Sequence, residues 1–133
     1  MSSAPSDQTD AAAPEATGPL GERGPALLDL LAYIYLENDR PEKAAVLLAA
    51  LDELGLADAR QRTSLALAQL RSGKPETALS TLDRIALQGG LSSAFHLVRA
   101  QTLVALEREA EAEAAMRAYM DLRARQTAPA DSR

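Results

Sequence analysis

The sequence predicts an all-α fold built from three consecutive helical hairpins. Three observations carry this expectation. Apolar residues make up 47% of the chain and aromatics only 3%, so the core must be made of Leu and Ala, the two residues best suited to helices. Segments of helical spacing alternate with breaks of a few residues, and none shows the apolar–polar alternation of a strand. Similar residues also recur thirty-four positions apart, and a fixed interval of that size is the mark of a repeat architecture.

At 133 residues the chain has room for one domain. Residues 1–24 are rich in Ser, Ala, Pro, Gly, Asp and Thr, with Leu20 the only large aliphatic residue after Met1. They cannot bury enough apolar surface to offset the entropy of ordering, and a disordered tail is expected there. The domain is expected over residues 25–125, with a second disordered tail over 126–133.

Six helices follow in order. Gly24-Pro25 opens the first, because Pro suits a first helical position, and Asn38-Asp39 closes it after Glu37. The second opens at Pro41 and ends near Gly55. The third runs from about Asp58 to Arg71, stopped by Ser72-Gly73. The fourth opens at Pro75 and ends before Gln88-Gly89-Gly90. Either Ser92 or Ser93 can cap the fifth, which reaches about Leu106. The sixth spans about Glu109 to Arg125, with Glu109, Glu111 and Glu113 early and Arg117, Arg123 and Arg125 late, matching the helix dipole. The breaks are short, so successive helices must fold back on one another.

The interval is clearest where Pro41-Glu-Lys-Ala44 aligns with Pro75-Glu-Thr-Ala78 and then with Glu109-Ala-Glu-Ala112. Twelve residues before these alanines stand Ala32, Ala66 and Ala100; four after stand Leu48, Leu82 and Met116; seven after stand Leu51, Ile85 and Tyr119. An irregular bundle of the same composition would also give amphipathic helices. The shared spacing, the aliphatic columns and breaks at Asp39, Gly73 and Glu107 favour the repeat. These columns resemble the tetratricopeptide pattern, in which small residues on paired helices let two backbones approach. The resemblance implies three tandem hairpins forming a short right-handed solenoid. Two departures stand out: the large first-helix residue is Leu28 in the first unit but Arg62 and His96 in the others, and the third unit lacks the turn Gly and Pro.

In that family the first helices line a concave face. By register, the face is expected to carry Asp29, Tyr33, Leu36 and Glu37, then Arg60, Thr63, Leu67, Leu70 and Arg71, then Leu97, Gln101 and Val104. An apolar strip flanked by charges suits an amphipathic helix or extended peptide. Leu36, Leu70 and Val104 could instead pack between adjacent first helices. Leu67→Glu is expected to spare the fold and weaken binding. On the sixth helix, Met116 and Met120 belong to an apolar face that is expected to stay partly uncovered and to take part in association.

No chemistry is legible. With no Cys and a single His, His96, the usual nucleophile–base pairs and metal sets lack members, so no catalytic residue, metal site or cofactor is expected. Tyr35 and Phe95 read as core, and Glu107, Glu109, Glu111 and Glu113 as a solvated helix face. The net charge of −5 argues against nucleic acid. The start has no basic region followed by an apolar run and does not read as a secretory signal, and no stretch has the length to insert in a bilayer. A cytoplasmic protein is expected.

A narrower resemblance rests on Leu27-Leu-Asp-Leu-Leu-Ala-Tyr33, Glu42-Lys-Ala-Ala-Val-Leu-Leu-Ala-Ala-Leu51, Leu97-Val-Arg-Ala-Gln-Thr-Leu103 and Ala118-Tyr-Met-Asp-Leu-Arg123. These stretches are similar to the small tetratricopeptide chaperones of bacterial type III secretion systems, the YscY (SctY) type. The resemblance implies a cytoplasmic chaperone that forms a 1:1 heterodimer with a small secreted component of the YscX/SctX type and escorts it to the export gate. A translocator-protein chaperone of the same system and a generic tetratricopeptide adaptor are the alternatives.

Overall fold

The computed structural model describes residues 23–89 and 91–128. Over these residues the chain forms six α-helices and no strand: α1 (Gly24–Glu37), α2 (Pro41–Glu53), α3 (Ala59–Arg71), α4 (Pro75–Gln88), α5 (Ser93–Ala105) and α6 (Glu109–Thr127). The disordered head expected for residues 1–24 falls outside the described residues, apart from Arg23 and Gly24. The expected tail lies outside them from residue 129 onward. Residues 126 and 127 belong to α6, which runs two residues past its expected end.

Each start has a local cause. Asp58 and Gln61 form a capping box before α3: the Asp58 carboxylate accepts from the Gln61 N–H at 2.8 Å, and Gln61 Oε1 accepts from the Asp58 N–H at 2.9 Å. This satisfies two donors that a helix N-terminus otherwise leaves free. Of the two serines at the start of α5, Ser92 is the cap, its Oγ accepting from the Phe95 N–H at 3.1 Å. α2 and α4 open on Pro41 and Pro75, whose missing N–H costs nothing there.

The breaks repeat in their backbone geometry. After α1 the N–H of Arg40 donates to the carbonyl of Tyr35; after α3 Lys74 donates to Gln69; after α5 Arg108 donates to Leu103. Each pair lies thirty-four residues beyond the last. The residue before each donor has positive φ: 59° at Asp39, 81° at Gly73 and 60° at Glu107. Arg40 (−121°, 63°) and Lys74 (−123°, 66°) then share almost one conformation, and Arg108 (−103°, 74°) is close to it. Gly55 and Gly89, again at that interval, both have positive φ. The third unit makes the same turn with Glu107 where the second uses Gly, so the turn is set by hydrogen bonding and packing as well as by residue type.

These turns lay α1 on α2, α3 on α4 and α5 on α6, and α2 also packs on α3, α4 on α5 and α3 on α5. The core divides accordingly. Ala32 and Ala44 share one buried cluster with Leu48, Leu51, Leu65 and Ala68. Ala66 and Ala78 share the next with Leu82, Ile85, Phe95 and Val98. Ala100 and Ala112 share the third with Leu103 and Ala115. In the first two clusters, facing alanines leave room for the aliphatic residues one and two turns on to interdigitate. Thr81 Oγ1 donates to Gln69 Oε1 at 2.7 Å, tying α3 to α4. The buried Thr102 hydroxyl donates to the Val98 carbonyl at 2.8 Å, so burying it leaves no orphan donor.

Candidate protein-binding surface

The residues expected on the binding face differ widely in exposure. Asp29, Tyr33, Leu36 and Arg60 do come together, lining a recess between α1 and α3 with Ala32, Leu48 and Ser64. That recess holds only about 40 Å³, far below the several hundred Å³ of an ordinary ligand pocket. Arg60 donates to Asp29 at 2.6 Å, joining α1 to α3 beside it. The Asp29 hydrogen bond raises the affinity of Arg60 for its proton, against a smaller opposing effect of burial. Tyr33 remains exposed.

Thr63 corrects the expectation outright: it is buried, and its hydroxyl donates to the Ala59 carbonyl at 2.8 Å, one turn back in its own helix. Leu67 and Leu70 are half-buried against the second core cluster. Leu97 is half-buried, while Glu37, Arg71 and Gln101 are exposed. Leu67 and Leu70 therefore give part of their surface to the core and keep part of it open.

One open apolar surface lies on the third hairpin. Met116 holds in the third hairpin the place of Leu48 and Leu82 in the first two. Those leucines are 1% and 0% exposed, and Met116 is 37% exposed. Val104 likewise follows Leu36 and Leu70, which are half-buried, and it is 63% exposed. The difference is the next hairpin: α3 covers the first unit and α5 the second, and nothing covers the third among the described residues. Val104 and Met116 share a shallow pocket of about 250 Å³ with Ala100, Ala112, Glu109 and Glu113. Met120, one turn beyond Met116, is exposed too. Methionines adapt well to irregular apolar partners, and the two glutamates give the pocket an acidic rim.

A second concavity escaped the sequence reading. A cleft of about 430 Å³ opens between α4 and α6 over α5, lined by Asp83, Ala86, Leu91, Phe95, His96, Arg99, Glu111, Ala114, Ala115 and Ala118. Its origin is a difference between repeats. In the preceding interface Asp52 accepts from Arg62 at 2.8 Å and from Arg84 at 3.1 Å, joining α2, α3 and α4. Thirty-four residues on, these three places hold Ala86, His96 and Ala118, and all three line the cleft. Alanines replace the aspartate and one of the two arginines, and the space stays open. Reading the charged residues in register would have found it. Burial pushes the His96 imidazole below its ordinary value, and the nearby Arg99 charge adds to this.

Among the described residues, no group of three or more His, Cys, Asp or Glu is placed to hold a metal ion. No helix of theirs is long and apolar enough to cross a membrane. The surface offers apolar contact, an acidic rim and shape, the means of binding another polypeptide. Compared with known proteins, the chain matches no family model and shows no significant similarity to a curated protein.

Proposed function

We propose that this chain is a chaperone of tetratricopeptide type that receives an apolar helix of a client protein on the open end formed by α5 and α6. The three hairpins curve into a short right-handed solenoid, and the client takes the place of a fourth first helix. The observation that carries this reading is the Leu48, Leu82, Met116 column: the same apolar position is sealed twice by the next hairpin and left open once. A client helix seated there buries Met116, Met120 and Val104 and hides its own apolar side from water. Tyr33 supplies a second exposed contact at the other end of the array.

The sequence resemblance narrows the client to a small secreted component of a type III export apparatus, of the YscX/SctX type, held in the cytoplasm as a 1:1 heterodimer and passed to the export gate. Co-expression with such components, followed by size-exclusion chromatography, tests this. Co-elution at the mass of one chain plus one client is expected. A well-folded chain that captures none of them counts against the reading.

A further inference from the structure

The two ends of the array are complementary to each other. α3 meets the hairpin before it through Leu65 and Ala68, which sit in one buried cluster with Leu48 and Leu51. α5 meets the second hairpin one turn earlier on the same face, through Phe95 and Val98, buried with Leu82 and Ile85, while Arg99 and Thr102 hold the places of Leu65 and Ala68. The corresponding face of α1, thirty-four residues earlier, is Leu27, Leu30, Leu31 and Ile34. These four residues fall at spacings of three, four and seven and so form a single stripe on the helix. No hairpin precedes α1 among the described residues, and all four are exposed, Leu27 by 63% and Leu30 by 55%. At the far end Met116 and Tyr119 stand in the places of Leu82 and Ile85, without the helix that covers those two. One end lacks what the other end presents.

We propose that a second copy of this chain docks its α1 stripe on the α5–α6 end of the first, continuing from copy to copy the packing that joins hairpins within one copy. The template is the chain's own interior: α3 on the first hairpin and α5 on the second show that a first helix of this register fits a surface of this kind. Residues 1–22 are a poor cover for the stripe, since Leu20 is their only large aliphatic residue after Met1. An apolar stripe of four large residues on one helix is surface that soluble proteins ordinarily keep covered. The contact is head-to-tail, so it leaves one free face at each end and does not close at two copies by necessity.

The test uses residues 1–133 without any client, and its outcome is therefore independent of the client reading above. Sedimentation equilibrium of the wild type across a wide concentration range is expected to give a mass that climbs above the 14.1 kDa of one chain. The α1 variant Leu27→Glu/Leu30→Glu and the α6 variant Met116→Glu each remain at one-chain mass. Mixed in equal amounts, they form a two-chain species and nothing longer, because each supplies the face that the other has lost. Leu30→Lys alone repeats the α1 arm if the double variant loses helicity by circular dichroism. A wild type that stays at one-chain mass at all concentrations overturns the proposal. So does either variant pairing with itself, which would mean a like-with-like contact.

Discussion

Arg62 on α3 donates from Nε to Asp52 on α2 at 2.8 Å, across the interface between the first and second hairpins. Burial pushes the Asp52 carboxyl up, but hydrogen bonds from Arg62 and Arg84 more than offset it and hold it below its ordinary range. The pair is well shielded on both sides, whereas Arg84 is more than half exposed. Arg62 therefore supplies most of the stabilisation.

Asp52→Ala leaves Arg62 without its main partner and is expected to cost about 1–3 kcal/mol, read from urea unfolding at neutral pH. A carboxylate depressed in the folded state stabilises above its unfolded value of about 4 and loses that contribution as pH falls through the folded value. Wild-type stability should thus fall toward the variant's as pH drops below about 4. A difference that holds constant into that range would show that the ion pair is not its source.

Ala78 faces Ala66 inside the second cluster, and both are fully buried. Ala78→Leu adds three carbons where two backbones meet, forcing α3 and α4 apart. A cost of roughly 1–3 kcal/mol is expected from overpacking, measured as a lowered denaturant midpoint. A midpoint unchanged within error would mean that the alanines do not set the spacing of the helices.

Gly73 and Glu107 make one turn in two residue types, with φ of 81° and 60°. A Cβ at Gly73 would meet nothing within 4 Å, so Gly73→Ala carries only a conformational penalty, about 1 kcal/mol. Glu107→Gly relieves the same strain and should stabilise by about 0.5–1 kcal/mol, net of Gly's greater freedom when unfolded. Thermal melts of the two variants moving in opposite directions is the expected result.

Val104 and Leu67 separate binding from folding. Val104→Glu places a charge on an exposed position and should change stability by less than about 0.5 kcal/mol. It should still lower client capture by about tenfold or more, because the charge must be desolvated in the complex. Leu67→Glu puts the charge against the second core cluster and should cost about 1–3 kcal/mol in the free chain. This reverses the expectation from the sequence that Leu67→Glu spares the fold. Pull-down and urea titration on both variants decide the matter.

Much of the fold was legible because its signals are local. Pro41, Pro75, Asp58 and Ser92 start helices through their own backbone or side-chain chemistry, and the observed bounds fall within about two residues of the expected ones. The alanine columns were legible because a close approach of helices tolerates few residue types. The binding face was less so. Register alone places Thr63, Leu67 and Leu70 on it, yet Thr63 is buried and the two leucines are half-buried against the second core cluster. The cleft beside His96 was missed because it comes from side chains that are absent relative to the preceding repeat.

The sequence by itself determined six helices, where they start and stop, and the interval at which they recur, since caps, turns and periodicity act over a few neighbouring residues. Only the tertiary structure decided which apolar residues are sealed and which stay open. Leu82 and Met116 occupy one repeat position with similar hydrophobicity, and what distinguishes them is whether another helix follows in space. Burial belongs to the neighbour as much as to the residue, and no property of the residue alone encodes it.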